Sequence, residues 1–540
     1  MREVITLQLG QQSNYVGAHF WNAQESYFTY GADEESPVDH NIHFRPGLGA
    51  DGTETFMPRT VIYDLKGGFG TLRKINALYD ISEETAPAQN SLWSGQTVVH
   101  RQPPIGTSAY QESLDTGQTP PELTTSTVRY WSDFNRVFFH PRSIIQLNEF
   151  ELNSTLMPFE KWHMGEELFA SLDKEHDLVD RDLRPFVEEA DQVQGIQIMT
   201  GLDDAWAGFA AKYVERLRDE YGKIPVWIFG VQEPTRGLSR EKRLLKLVNK
   251  ARALAELNSQ ASLLVPLALP ESPLPQGVQL DPASPWHVTA LYAAALESTT
   301  LYTRLKTSDR MYSTNLGNMT DLLNVFGKQT IANIELSPVE PKEATRQNGT
   351  NGSGHILNGR GERIAGLYGD ALGTEEGSES GSQKGTVSLD IDLSAPQELS
   401  LDPGRRRRRK RHVFSQVQTY RGPEDSVANG TQDEDNEARV RGYGTRSRPR
   451  VHDYRSTLSF PLLDSYPKIF RRHNNEPAMA VRTALSADSS VADKVRALRA
   501  AAVRAVGLED RETVGNELAE IAEGYREGWS SGSDEDDDED

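Results

Sequence analysis

Gly10, Gln11 and Gln12 form a polar turn fed directly by a short apolar strand that starts at residue 2, and Ser13 to Tyr27 then reads as a helix. A glycine turn between a buried strand and a helix N-terminus points backbone N–H groups at phosphate. Every α/β unit needs such a turn, so nucleotide binding requires support from elsewhere in the chain. Asp203 and Asp204 are a second candidate, since adjacent carboxylates can hold a cation or move protons. A solvated helix N-terminus with a favourable dipole contact explains the same pair without chemistry. The 12 histidines contain no i, i+4 pair with a helpful carboxylate pattern. His140, His163 and His176 fall on different elements, which favours structural histidines over a zinc site. Ser94-Gly95-Gln96 lacks the strand-to-helix elbow of a hydrolase nucleophile, so neither a catalytic residue nor a metal ligand is assigned.

The elements that hold these residues are read from hydrophobic periodicity. The first helix turns Val16, Phe20 and Trp21 inward, and Val61–Leu65 and Gly195–Met199 read as short strands. Asp204–Tyr221 predicts a helix with Trp206, Phe209, Ala210, Tyr213 and Leu217 on one face. Strands at Ile224–Phe229 and Ser262–Leu269 flank a helical run at Arg240–Leu257, and Trp286–Leu305 predicts a long core helix. This alternation predicts an α/β domain over residues 1–337, a mostly parallel sheet flanked by helices. Residues 338–450 are rich in Gly, Ser, Asn, Glu and Arg, which predicts a disordered insertion. Residues 451–530 regain order and are expected to pack on the main domain through Val495, Leu498, Ala502 and Val506, with Trp529 closing the contact. Residues 531–540 form an acidic tail.

The formal net charge is -21 over 540 residues, which argues against sequence-independent binding to nucleic acid. With no cysteine, disulfides, thiol nucleophiles and thiolate metal sites are excluded. No segment approaches the roughly 20 apolar residues needed to cross a bilayer. Residues 1–12 show neither a charged n-region with an apolar h-region nor an Arg-rich, acid-poor presequence helix, so no cleavable presequence is expected. Asn348-Gly349-Thr350, Asn351-Gly352-Ser353 and Asn429-Gly430-Thr431 match a glycosylation acceptor pattern, with no signal peptide to bring them to the machinery. Arg405 to Arg411 is a basic run: either a solvated segment that pairs with the acidic tail, or a contact for an anionic membrane, or an import signal.

The opening resembles tubulin: Met1-Arg2-Glu3, the apolar strand, Gly10-Gln11, then a helix with Gly17 and Trp21. Further echoes come in tubulin order. They are Pro58 to Leu65, Lys161-Trp162-His163-Met164-Gly165, Leu178-Val179-Asp180 with Gln194 to Ile198, Arg218-Asp219-Glu220-Tyr221, and Ala290-Leu291-Tyr292. The resemblance implies a nucleotide groove at Gly10, Gln11, Gln12 and Asp64, with the phosphate loop at Gly201 to Gly208 and Lys66 near the magnesium position. The departures are specific. Where tubulin has Gly-Gly-Gly-Thr-Gly-Ser-Gly, this chain reads Gly201-Leu202-Asp203-Asp204-Ala205-Trp206-Ala207-Gly208. Two carboxylates against a polyanion cost roughly a kcal/mol or more per contact outside bulk water. Lys66 replaces an acid, and an ammonium cannot coordinate magnesium. Tubulin's late Gly-x-x-Asn-x-Asp loop has no clear counterpart.

A tubulin-related chain with these changes is similar to the Misato family, as is Leu458-Ser459-Phe460-Pro461-Leu462-Leu463-Asp464-Ser465-Tyr466-Pro467. That resemblance implies a role in partitioning and distributing mitochondria and in inheritance of mitochondrial DNA, and the departures at residues 66 and 201–208 make a non-enzymatic role the expectation. It also implies a peripheral mitochondrial location with a cytosolic pool, and mitochondrial or cytoskeletal protein partners. No cofactor is expected. Any nucleotide that persists would be GTP held in the vestigial groove of Gly10, Gln11, Gln12, Asp64, Lys66, Gly201 and Gly208. The rival readings are a slow GTPase with a rearranged phosphate loop and a microtubule-associated adaptor.

Overall fold

The computed structural model describes residues 2–29, 35–49, 52–73, 105–270, 273–275, 277–306, 314–339, 390–394, 411–423, 450–471, 476–504 and 511–526. Its first layer is a six-stranded, all-parallel sheet with strand order β5-β4-β1-β6-β7-β8. β1 (Glu3–Leu9) lies in the middle, between β4 (Thr60–Lys66) and β6 (Val193–Gly201). β5 (Ile144–Glu151) closes one edge, and β7 (Val226–Val231) and β8 (Leu263–Leu267) complete the other. A hairpin of β2 (Phe44–Leu48) and β3 (Glu54–Pro58) leads into β4.

Side chains of successive strand residues point to opposite faces, and both faces are covered. Val4 joins a core with Phe20 and Trp21 of α1 (Gln11–Glu25) and Leu291 of α7 (Pro285–Thr300). Ile5, Leu7 and Leu9 enter a second core with Phe169 of α3 (Trp162–His176), Phe209 of α5 (Ala205–Tyr221) and Leu254 of α6 (Arg240–Gln260). Two short helices, α2 (Ala109–Thr116) and α4 (Arg184–Glu189), fill in around them. The long core helix stops at Thr300, and a single 3-10 turn over Leu301–Thr303 follows.

The second layer corrects the sequence reading. β9 (Asn333–Pro338) crosses the boundary placed at 337/338, and the interval read as a disordered insertion contains β10 (Ile391–Asp392) and β11 (Val413–Arg421). With β12 (Arg450–Ser456) and β15 (Val481–Asp488) they build a five-stranded mixed sheet, β10-β9-β15-β11-β12. β13 (Phe460–Pro461) and β14 (Ala478–Met479) pair separately. β11 escapes a pattern search because its buried residues are Ser415, Val417, Thr419 and Arg421, of which one is apolar. The sheet rests on α7 and on α8 (Leu316–Leu323). The final helices, α9 (Ser490–Ala502) and α10 (Arg511–Gly524), pack on α6, and Val495, Leu498 and Ala502 are buried as expected. Val506, Trp529, the acidic tail, Ser94 to Gln96, the three glycosylation patterns and Arg405 to Lys410 lie outside the described residues. Arg411, the last of the basic run, pairs with the buried Asp488 at 2.9 Å.

A fully buried charge cluster ties the layers together. Arg304 Nη2 donates to Glu297 Oε1 at 2.6 Å, and Arg421 Nη1 donates to Glu297 Oε2. Gln24 of α1 and Tyr27 just beyond its end donate to the same Oε1 at 3.1 and 3.0 Å. α1, α7 and β11 thus share one carboxylate.

Candidate functional site

The C-terminal ends of β1, β4 and β6 meet where the sequence placed the groove. Gly10 follows β1 with φ +88, a left-handed conformation that favours glycine, and its N–H donates to Tyr63 O at 3.0 Å. Asp64 ends up fully buried behind this turn. Asn14 Nδ2 donates to its Oδ2 and Leu65 N to its Oδ1, each at 2.8 Å. Gln8 links Asn14 to Trp21, accepting from the indole at 2.7 Å. A methyl on Gly68 would lie 2.3 Å from Asp64 Cγ, so the Gly67-Gly68 turn closes over the carboxyl.

Gln11 and Gln12 line a cleft of about 610 Å³ together with Asp203, Asp204 and Trp206. Three placements decide its character. The Trp206 indole packs against the Gly10 turn, where an added methyl would sit 2.3 Å from Nε1; Phe159 meets the indole edge-on at 5.3 Å. Asp204 caps α5 by accepting from Trp206 N at 2.9 Å, and it lies against Gly201, whose added methyl would be 2.4 Å from Oδ1. Asp203, read from sequence as part of a solvated helix N-terminus, is instead buried. It accepts from Glu233 N and from Lys246 Nζ, each at 3.2 Å. Lys246 reaches on to Glu233 Oε2 at 2.9 Å, and Gln12 Nε2 donates to Glu233 Oε1 at 3.2 Å.

Of the predicted groove residues, Gln11 and Gln12 line the cleft; Gly10, Asp64 and Gly201 are not in its lining, and Gly208 and Lys66 are elsewhere. Gly208 lies inside α5, where an added methyl would be 2.2 Å from Trp162 O, so it serves a close helix contact with α3 rather than the cleft. Lys66 ends β4 outside the cleft lining, its carbonyl accepting from Leu152 N at 3.0 Å. Lys246, Asn249 and Glu233 went unread. Lys242, Lys246 and Asn249 share a face of α6 by their spacing, which was the available signal. Asn249 holds the loop by donating to Glu160 O at 2.7 Å and to Asp203 O at 3.0 Å. Among the described residues, the group of three acids or histidines close enough for a cation is Asp177, Asp180 and Glu220. Arg184 and Arg216 already pair with it.

Burial pushes the Asp64 carboxyl up to about 7 against the pull of its hydrogen bonds, and burial with the neighbouring Asp203 does the same for Asp204. A carboxyl whose folded value is raised contributes stability below its unfolded value of 3.8 and loses it as pH climbs towards 7. The unfolding midpoint is therefore expected to fall between about pH 4 and 7. Asp64→Asn should flatten that slope by roughly 2–4 kcal/mol across the window, measured by urea denaturation at stepped pH; an unchanged slope would refute the assignment.

Residues 2–116 match the Misato Segment II tubulin-like domain family and residues 120–305 the Tubulin domain family. Protein dml-1 of Neurospora crassa is 52% identical over 558 residues, covering 100% of both chains. Protein DML1 of Gibberella zeae is 47% identical over 541 residues, again covering 100% of each. Protein dml1 of Schizosaccharomyces pombe is 34% identical over 323 residues, covering 56% of this chain and 66% of its own. With full-length identity of this order and a six-stranded parallel sheet flanked by helices, the chain belongs to the Misato/DML1 family of divergent tubulin-like proteins.

Proposed function

We propose that the chain is a non-enzymatic binding or organising protein in the partitioning of mitochondria and the inheritance of mitochondrial DNA, acting peripherally at the mitochondrial surface from a cytosolic pool. The mitochondrial part is supported by the Misato resemblance. The non-enzymatic part is carried by one observation: Trp206 packs against the Gly10 turn, where tubulin-type chemistry would need room for phosphate. The cleft lining reinforces it, because Glu151, Glu160, Asp203, Asp204 and Glu233 face only Lys242 and Lys246, both already paired with acids. A triphosphate would meet uncompensated carboxylates. The slow-GTPase reading is favoured by the size of the cleft beside Gln11 and Gln12, about 610 Å³.

Two measurements separate these readings. Purified protein is expected to retain no labelled GTP after gel filtration; stoichiometric retention that is lost in Gln11→Ala would favour the slow-GTPase reading. In cells lacking the chain, Gln11→Ala is expected to restore mitochondrial distribution as well as the unaltered protein.

A further inference from the structure

We propose that a second groove, beyond the C-terminal ends of β7 and β8, binds an acidic, leucine-type apolar segment of a partner polypeptide. This inference rests on the reading that the chain works by binding, and it names the chemistry of what is bound.

The groove encloses about 810 Å³ between residues 232–237, the N-terminal half of α6 and the described stretches 268–270, 273–275 and 277–282. The ion cluster of Asp203, Glu233 and Lys246 divides it from the Trp206 cleft, and Trp206 takes no part in its lining. Its floor is apolar, formed by the half-buried Leu247, Leu269, Leu274 and Leu280. Proline walls at Pro234, Pro270, Pro273 and Pro282 restrict the backbone around it.

One polar group in the wall points to the occupant. Gln232 is 6% exposed, its backbone N–H is spent on Leu267 O at 2.9 Å, and its side-chain Nε2 has no hydrogen-bond partner. A buried amide donor left unmade costs about 1–3 kcal/mol, and an acceptor on an incoming ligand removes that cost. A peptide supplies such an acceptor at every carbonyl along its length, whereas a fatty acid supplies it only at its carboxylate. The rim carries Arg236 and Arg243, both exposed and neither within salt-bridge distance of a carboxylate among the described residues. Lys246, by contrast, is occupied by Asp203 and Glu233. An apolar floor, a buried wall amide without a partner and a cationic rim that no described carboxylate neutralises match a segment that alternates apolar and acidic side chains. The chain's own charge of -21 makes this rim a local exception, so the complementarity is positional and does not reflect overall charge.

Fluorescence anisotropy on the full chain tests it, with a short fluorescein-labelled peptide of alternating leucine and glutamate as probe. Saturable binding is expected, with about tenfold weaker binding of the lysine counterpart and about tenfold weakening in the double variant Arg236→Glu with Arg243→Glu. Both arginines are exposed, so the double variant should keep the unaltered protein's circular dichroism and unfolding midpoint. Gln232→Leu is expected to weaken binding severalfold through the lost donor. Equal affinity for acidic and basic peptides, or binding indifferent to the charge reversals, would overturn the proposal. So would saturable binding of a fluorescent medium-chain fatty acid in the absence of peptide binding, which reassigns the groove to a lipid. Retention of GTP would overturn the reading that the Trp206 cleft excludes nucleotide while leaving these peptide results standing.

Discussion

Glu297→Ala is expected to abolish the folded state or lower its stability by about 3–5 kcal/mol, the cost of stranding a buried charge without its partner. Glu297, Arg304 and Arg421 are all 0% exposed, and the carboxylate also accepts from Tyr27 and Gln24. Burial works against ionisation of Glu297, but Arg421 and Arg304 outweigh it and hold the carboxyl below its ordinary value. Its contribution is therefore present above about pH 4.5 and is lost as pH falls through the depressed folded value. Glu297→Gln separates charge from shape: it keeps the volume and should cost nearly as much as alanine, because two guanidiniums remain unneutralised. Replacing all three residues by Met or Leu should recover much of the loss, since a well-packed apolar cluster often equals or exceeds a buried ion triad. Thermal or urea denaturation monitored by tryptophan fluorescence reads each variant. A glutamine variant as stable as the parent would show that the cluster does not hold the second sheet to α7.

Gly165→Ala and Gly208→Ala are each expected to cost about 3 kcal/mol or more, the upper range for overpacking a close contact. A methyl on Gly165 would lie 1.8 Å from Ala205 O, and one on Gly208 would lie 2.2 Å from Trp162 O. Both obstacles are backbone atoms, so relief requires α3 and α5 to move apart. That movement would shift the first turn of α5, which carries Asp204 and Trp206. Gly106→Ala is the control: it meets nothing within 4 Å and should stay within about 0.5 kcal/mol of the parent. Equal stability of Gly208→Ala and Gly106→Ala would reopen Gly208 as a loop residue available to a ligand.

Much of the first layer was legible along the chain. β1, β4 and β6 read as apolar runs because both faces of a parallel sheet are covered, and α5 showed its inward face through Phe209, Tyr213 and Leu217. Boundaries moved by a few residues, as between Ile224–Phe229 and the observed Val226–Val231. The Gly10 turn and the Gln11–Gln12 helix start came out where they were expected, next to the 203–206 loop. Gly208 and Lys66 did not join them, because a resemblance in linear order carries no information about which side of a helix or strand end a residue takes.

Local periodicity and the spacing of apolar residues determined the parallel sheet, its flanking helices and the Gly-Gln turn, since each is written within a window of a dozen residues. The second sheet was decided only by tertiary structure: β11 is buried through Ser415, Thr419 and Arg421, and Arg421 is accommodated by Glu297, 124 positions away. The same holds at the groove. Asp203 reads as a solvated acid until Lys246 of α6 is placed beside it, and Trp206 reads as an ordinary core residue until β1 brings Gly10 against its ring. Burial and electrostatic pairing depend on neighbours in space, so the pairing that makes residues 203–206 a capped, ion-paired helix start exists only once the sheet has assembled.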